Sequence, residues 1–204
     1  VALGMAVQAV HEAALVEFGH GLRTMSGETD LQVVGPRGGF TEEVFARLVA
    51  LPEIEAASPI VEVEAKLAGR NESLQLMGLD AFALARTTPA LLPKPASTSD
   101  RFSLLAENHV FLSAVARGAL GVKTGETIRL QSGTRILALQ VAGDLPGVAD
   151  DRRLAVMDIA AVQSQSSMLG RLTQIDLRLA QGIAPETARA RLQAILPAGV
   201  FNVV

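Results

Sequence analysis

Histidines are the side chains in this sequence best able to act as metal ligands or general bases, because the chain contains no cysteine. They are His11, His20 and His109. His11 and His20 lie on opposite faces of a predicted helix, since each residue turns an α-helix by about 100°, and His109 is distant from both in sequence. No pair has the spacing of a metal-binding motif. The sequence therefore predicts no metal site.

Nucleophilic catalysis needs a serine beside a base, and one such set can be drawn from Ser113, His109 and Asp158. No nucleophile-elbow motif accompanies Ser113. We therefore expect no catalytic residue and no enzymatic activity. If the chain were an enzyme of unknown class, alanine at any of these three positions should abolish its activity.

A glycine-rich turn, GPRGG at residues 35–39, follows an apolar run and precedes an amphipathic segment. Phosphate-binding loops occupy that place in many folds. This turn lacks both the Gly-Lys-Ser/Thr of a P-loop and the G-x-G-x-x-G of a dinucleotide fold. The sequence predicts a structural turn and no bound cofactor.

Composition restricts the class of protein further. Of the 204 residues, 49% are apolar but only 3% are aromatic, so the core must consist mainly of aliphatic side chains. The net charge of −3 gives no basic face for nucleic acid. The absence of cysteine excludes a disulfide-stabilised scaffold.

The region around the glycine turn is repeated near the end of the chain. Leu31–Val34 is a predicted strand, Thr41 a predicted N-cap with Phe40 and Phe45 as a hydrophobic staple, and the helix that follows ends before Pro52. At an offset of 144 residues the same pattern recurs without gaps over most of its length, with Pro185 at the first helical turn. The matched pairs are Leu31 and Ile175, Val33 and Leu177, Gly38 and Gly182, Glu42 and Glu186, Val44 and Ala188, Arg47 and Arg191, Leu48 and Leu192, and Leu51 and Ile195.

Each copy is a β-turn-α-turn-β unit, and two such units side by side form a ferredoxin-like α/β sandwich. The predicted fold class is therefore α+β: a split βαβ/βαβ subdomain over residues 28–80 and 171–204, interrupted by an inserted β-rich module over residues 81–170. In the first half, residues 60–67 predict a half-buried strand whose solvent face carries Glu62, Glu64 and Lys66.

The predicted insertion begins with a proline-broken loop, TTPALLPKPASTSD. A strand at Val110–Leu112 and a helix from Ser113 to Leu120, ended by Gly121, follow. A hairpin turns at Ser132 and Gly133, and Asp158 is expected to cap the helix IAAVQSQSSML.

Both ends of the sequence suggest a longer parent chain. Apolar residues recur at helical spacing from Leu3 to Met25, and the first ten residues are the most apolar. The other end, GVFNVV, stops inside a predicted strand. We therefore expect residues 1–27 to form a stalk helix that continues from a transmembrane helix. The alternative is a processed protein with a frayed apolar start.

The motifs MSGETDLQVVG, EIEAASPIVE and LQLMGLD resemble the extracytoplasmic domain of FtsX-like ABC transporter permeases, the family of macrolide exporters and lipoprotein-release permeases. VFLSAVARGALGVKTGETIRL, RLAVMDIAAVQ and GRLTQIDLRL in the insertion are similar to the same family. The resemblance covers the whole chain. Its motifs are packing and turn signatures, so they do not indicate a substrate.

The resemblance implies a periplasmic domain anchored in the bacterial cytoplasmic membrane, which couples ATP hydrolysis to conformational change during transport of a lipid, lipoprotein or small molecule. The implied partners are a second permease subunit, in a homo- or heterodimer, and a separate cytoplasmic ATPase. Lipid or lipoprotein is a possible cargo, and no nucleic acid is implied.

A soluble ferredoxin-like sensor without a transport role is the alternative, with a small ligand held between sheet and insertion. A ligand panel in a thermal-shift assay would distinguish the two, because a preformed site raises the melting temperature when it is filled. Transmembrane spans flanking this segment in the parent sequence would favour the permease.

Overall fold

The computed structural model describes residues 29–69, 72–96, 102–148 and 152–204. The predicted stalk helix over residues 1–27 lies outside this part. None of the helices that the structure describes is long and apolar enough to cross a bilayer. The helices are α1 (Glu43–Val49), α2 (Ala81–Thr87), α3 (Ala114–Leu120), α4 (Ile159–Gln165) and α5 (Pro185–Ile195). The strands are β1 (Leu31–Val34), β2 (Phe40–Thr41), β3 (Ile54–Leu67), β4 (Ser73–Leu79), β5 (Lys94–Pro95), β6 (His109–Leu112), β7 (Thr127–Ser132), β8 (Arg135–Asp144), β9 (Leu154–Asp158), β10 (Arg171–Leu172), β11 (Gln174–Leu179) and β12 (Asn202–Val203).

The repeated units form one antiparallel sheet with the strand order β12-β1-β11-β3. This is the ferredoxin-like arrangement, in which the first strand of each unit lies in the centre. Leu48 of α1 and Leu192 of α5 share one buried cluster with Leu31 and Leu177 of the central strands, so both helices cover the same face of the sheet. The predicted α+β fold class is confirmed.

The strands between the two units close into a barrel. β3 pairs with β4, β4 with β9, β9 with β6, β6 with β8, and β8 with β7, which pairs back onto β3. The β4–β9 and β6–β8 pairs are parallel and the others antiparallel. Closure leaves the ladder of this ring without a free edge, the arrangement that β-barrels use to avoid edge-to-edge aggregation.

Strand β3 belongs to both parts of the sheet. Residues 54–60 pair with β11 in the ferredoxin-like part, and residues 60–66 pair with β4 in the barrel. A strand rises about 3.3 Å per residue, so the 14 residues of β3 extend over roughly 45 Å. One continuous strand therefore connects the two parts.

Two apolar cores follow from this topology. The first fills the barrel and extends under α1 and α5. The second lies on the outer wall of the barrel, where Phe111 and Ile60 pack against Leu84 and Leu91 from the segment after β4. Leu91 comes from the stretch that the prolines predicted to be a loop. That stretch contains a 3₁₀ turn, Pro89–Leu91, and its leucine is buried.

Most local predictions in the inserted region are confirmed. Gly121 ends α3 in the left-handed conformation with φ 65°, and β7 and β8 form the expected hairpin. Asp158 caps α4, accepting hydrogen bonds from the backbone N–H groups of Ala160 and Ala161. That helix is shorter than predicted: it ends at Gln165, and Ser167 adopts a positive φ of 61°.

The predicted N-cap at Thr41 is wrong. Thr41 lies in β2, where it pairs with Arg171 of β10, and α1 begins at Glu43 after Glu42. The short β2–β10 ladder holds the backbone of Thr41 extended, so its side chain does not cap the helix. The left-handed turn glycine before α1 is Gly39 rather than Gly38, and a Cβ there would come within 2.6 Å of the Leu172 carbonyl oxygen.

Candidate functional site

The three residues considered for nucleophilic catalysis make separate local contacts. The Ser113 hydroxyl donates to the Arg152 carbonyl at 2.6 Å and accepts from the N–H groups of Ala116 and Leu154. His109 lies at the other end of β6, where its Nδ1 is 2.9 Å from the Ser103 carbonyl oxygen. Asp158 caps α4. These contacts join backbone segments, and the three side chains are not assembled as a triad. His11 and His20 lie outside the described residues.

The most unusual chemistry in the described residues is a buried polar row on the ferredoxin-like sheet. It consists of Gln32 on β1, Ser58 on β3, and Gln174 and Asp176 on β11, each at most 3% exposed. The ladder places Gln32 opposite Asp176 and Asp176 opposite Ser58. Their sequence neighbours point towards α1 and α5, and side chains alternate along a strand. The polar row therefore faces away from those helices.

The row is only partly satisfied by hydrogen bonds. Gln174 Nε2 donates to Asp176 Oδ1 at 2.5 Å. Both amide atoms of Gln32 and the hydroxyl of Ser58 have no hydrogen-bond partner among the described residues. A buried polar atom without a partner costs about 1–3 kcal/mol, so such groups are rare in native cores unless water or a functional role accounts for them.

Burial raises the pKa of Asp176 to about 6, an effect that the amides of Gln174 and Gln32 oppose. The ordinary value is 3.8. The cause is desolvation: a carboxylate removed from water loses more solvation free energy than a neutral carboxyl group does. Asp176 therefore titrates within the pH range in which proteins work.

The segment that begins with α2 covers this face of the sheet. Leu84 and Leu91 pack on Ile60, which lies on the same side of β3 as Ser58. Arg86 donates to the Glu55 carbonyl on β3 at 3.2 Å. Arg178 of β11 donates to the Arg86 carbonyl at 3.4 Å, and two residues further on the Thr88 hydroxyl lies 3.0 Å from that of Thr29, two residues before β1. The segment thus crosses from β3 to β1, over the strands that carry the polar row.

A second carboxyl group is perturbed where the ferredoxin-like part meets the barrel. Glu62 is half-buried, and burial raises its pKa to about 7 from 4.5, opposed by the positive charge of Arg152. Its backbone N–H donates to the Thr173 hydroxyl at 2.8 Å. Of the residues predicted on the solvent face of this strand, Glu64 and Lys66 are exposed, but the prediction for Glu62 is wrong. The outer core beside it excludes water.

An open groove of about 470 Å³ lies between α1, the start of β3 and α2. Phe45 and Val49 line one wall, and Phe82 and Ala83 line the other. Phe82 is 73% exposed. Glu55 and Arg86 also line the groove, which therefore combines apolar side chains with two charged groups.

Sequence reasoning missed the polar row. The alternation in LQVV and QIDLRL matches a strand with one solvent face, so Gln32 and Asp176 gave no sign of burial. The available signal lay elsewhere, in the apolar residues of AFALARTTPALL, which a solvent loop does not need. Recognising those residues as a cover would have predicted that this face is not in water.

A scan against family models matches residues 1–195 to the MacB-like periplasmic core domain. The chain therefore belongs to that family. A search of curated protein sequences found no match.

Two solved structures share the fold. The periplasmic region of MacB from Actinobacillus actinomycetemcomitans superposes with a TM-score of 0.60 at 14% identity, covering 89% of this chain and 91% of that one. The extracellular domain of the noncanonic ABC-type transporter YknZ from Gram-positive bacteria gives 0.58 at 11% identity, covering 85% and 98%. At these identities the similarity establishes the fold and does not transfer a substrate.

Proposed function

We propose that this domain transmits movement during transport: conformational change driven by a cytoplasmic ATPase reaches the extracytoplasmic side through it as a rigid body. The family places the chain in a MacB-like ABC transporter permease, as its periplasmic domain. The observation that supports a mechanical role is β3, a single strand of 14 residues shared by the ferredoxin-like sheet and the barrel.

A rigid connection suits a part that transmits force. Rotation between the two parts would strain the ladders on both sides of Ile60, which pairs with Gln174 of β11 and with Leu79 of β4. Several backbone hydrogen bonds would have to break together, and each buried polar group left unpaired costs about 1–3 kcal/mol. Movement of the first unit would therefore carry the barrel with it.

The proposed assembly is a permease dimer in the bacterial cytoplasmic membrane, served by a separate cytoplasmic ATPase, with this segment in the periplasm. Residues 1–27 would form one leg of a stalk, and the chain after Val204 the other. The repeat divides the chain into residues 28–80 with 171–204 and an insertion at residues 81–170. In this proposal both segments move together as one rigid body. Lipid, lipoprotein or small-molecule cargo remains part of the proposal.

Spin labels in the complete transporter test the mechanical role. These 204 residues contain no cysteine, so in a transporter whose other cysteines are replaced, Glu186→Cys on α5 and Ile136→Cys on β8 introduce labels at exposed positions of the two parts. We expect the distance between these two labels within one subunit to stay unchanged between nucleotide-free and ATP-trapped states. The distance between Ile136 labels on the two subunits should change.

Two outcomes of the distance measurements would contradict the proposal. A changed distance within one subunit would show that the two parts move against each other and would contradict rigid transmission. An unchanged distance between subunits, in a transporter that hydrolyses ATP, would contradict movement of this domain during the cycle. Single-label transporters with the same turnover are the matched controls.

The groove between α1 and α2 is the observation that favours the alternative, a ligand-binding sensor, because it lies between the sheet and the inserted region. A small apolar ligand that fills it should raise the melting temperature of the chain, and Phe82→Ala should reduce that shift. If no compound in a broad panel produces a shift that Phe82→Ala reduces, the sensor alternative has no support.

A further inference from the structure

We propose that the buried polar row of Gln32, Ser58, Gln174 and Asp176 is a proton-controlled latch: the segment 81–92 is held against the sheet while Asp176 is neutral and loosens when Asp176 is charged. The latch needs three features: a titratable group with no counter-charge, a movable cover, and incomplete hydrogen bonding between them. The structure supplies each of them.

Asp176 is buried, and no opposite charge lies beside it among the residues that the structure describes. Its neighbours across the ladder are Gln32 and Ser58, which are uncharged, and its hydrogen-bond donor is the Gln174 amide. The charged side chains around this face, or at the ends of the elements that form it, are Asp30, Glu55, Glu62, Arg86 and Arg178. Arg178 contacts Glu55, Arg86 donates to the Glu55 carbonyl, and Asp30 accepts from the Leu179 N–H. Burial is therefore the largest influence on the pKa of Asp176.

The hydrogen bonds that attach the cover to the sheet are grouped near its middle. Arg86 donates to the Glu55 carbonyl on β3, Arg178 of β11 donates to the Arg86 carbonyl, and the Thr88 hydroxyl contacts that of Thr29 before β1. Arg86 and Arg178 lie at the surface, whereas Thr88 is buried. The remaining attachment is apolar, through Leu84 and Leu91 on the outer core. A charge beneath such a cover favours any movement that admits water.

The unpaired atoms of the row favour hydration over closure. The Gln32 amide lies near enough to Asp176 to lower its pKa but makes no hydrogen bond of good geometry, and the Ser58 hydroxyl has no partner among the described residues. An entering water needs two to four polar partners, and this row offers them. Opening of the segment would therefore be compensated by new hydrogen bonds to water. An apolar layer would gain none.

The expected size follows from linkage. If Asp176 titrates at about pH 6 when covered and at its ordinary value of 3.8 when exposed, opening becomes about tenfold more frequent between about pH 5 and about pH 7.5. The segment is tightest below about pH 4, loosens as the pH rises towards about 6, and changes little well above it.

Amide hydrogen exchange on the 204-residue chain measures the latch directly. The reporting amides are Leu84, whose N–H donates to the Asp80 carbonyl just before the segment, and Thr88, Leu91 and Leu92, whose N–H groups donate to carbonyls within it. After correction for the chemical pH dependence of exchange, we expect their protection to fall about tenfold between about pH 5 and about pH 7.5. In Asp176→Asn the protection should stay at the acid level throughout.

Two further variants make the result specific. Glu186→Gln removes an exposed carboxyl group from α5, on the other side of the sheet, and should behave like the wild type. Glu62→Gln removes the other buried carboxyl group and should leave the fall through pH 6 in place. Protection that does not change with pH in the wild type, or that still falls in Asp176→Asn, would overturn the latch. If Asp176→Asn does not fold, Ser58→Ala tests the same row, and it should strengthen the pH dependence by removing a polar neighbour of the charge.

Discussion

The ferredoxin-like part and the barrel share strand β3, but the sheet faces that the covering segments bury differ in composition. The outer wall of the barrel is apolar where it is covered: Phe111, Met77 and Val156 pack against leucines of the covering segments. The corresponding face of the ferredoxin-like sheet is also covered, yet it carries Gln32 and Asp176. Burial alone therefore does not make a face of the sheet stabilising. The same covering segment rests on apolar side chains over the barrel and on incompletely hydrogen-bonded polar side chains over the ferredoxin-like sheet.

The largest expected effect lies in the barrel wall. Phe111→Ala should lower the free energy of unfolding by about 4 kcal/mol, because the side chain is fully buried and its removal leaves a cavity. Chemical denaturation monitored by circular dichroism measures the loss. Phe102→Ala is the matched control: that ring is 75% exposed, so the change should be within about 0.5 kcal/mol. Equal losses in both variants would contradict the assignment of the outer core.

A substitution in the polar row should instead increase the free energy of unfolding. Asp176→Asn should raise the free energy of unfolding at about pH 7.5 by up to about 3 kcal/mol, since a folded-state pKa of about 6 against 3.8 penalises the charged form. The sign follows from the raised value: the penalty is absent below about pH 4, develops between about pH 4 and 6, and is complete above. Denaturation at both ends of that range measures it. A variant that is less stable than the wild type at about pH 7.5 would contradict the burial penalty.

A smaller effect is expected at Ser113, whose hydroxyl adds hydrogen bonds between the start of α3 and the start of β9. Ser113→Ala removes one donated and two accepted hydrogen bonds at the start of α3, and should cost about 2 kcal/mol. Ser73→Ala, at an exposed position of β4, should cost little. Thermal denaturation of the two variants compares them. A neutral Ser113→Ala would show that the hydroxyl does not hold β9 to the helix.

The smallest effect concerns the matched arginines of the repeat. Arg47 donates to the Ile195 carbonyl at 3.0 Å, and Arg191 lies 2.8 Å from a Glu53 carboxylate oxygen, so each half of the repeat contacts the other. Both arginines are exposed, and alanine at either position should cost about 0.5 kcal/mol. A double-mutant comparison should be additive. A coupling well above that size would show that the two halves are held together at their surface rather than by the shared core.

The sequence by itself determined the repeat, and with it the ferredoxin-like half. Apolar spacing at Val44, Leu48 and Leu51 and at its copy specifies two helices with one buried face, and short strands before them complete each unit. Local chemistry was equally informative at Gly121 and Asp158, because capping depends on a few neighbouring residues. These features require only contacts close in sequence, or a pattern that appears twice.

Only the tertiary structure decided which polar side chains lie in water. Closure of the barrel depends on β7 returning to β3, a pairing between residues more than 60 positions apart. The burial of Asp176 depends on a segment some 90 residues earlier that crosses the sheet. Thr41 fails as a cap because β10 holds it in a ladder. In each case the deciding partner is distant in sequence, so the alternation of a strand indicates two faces but does not reveal what covers them.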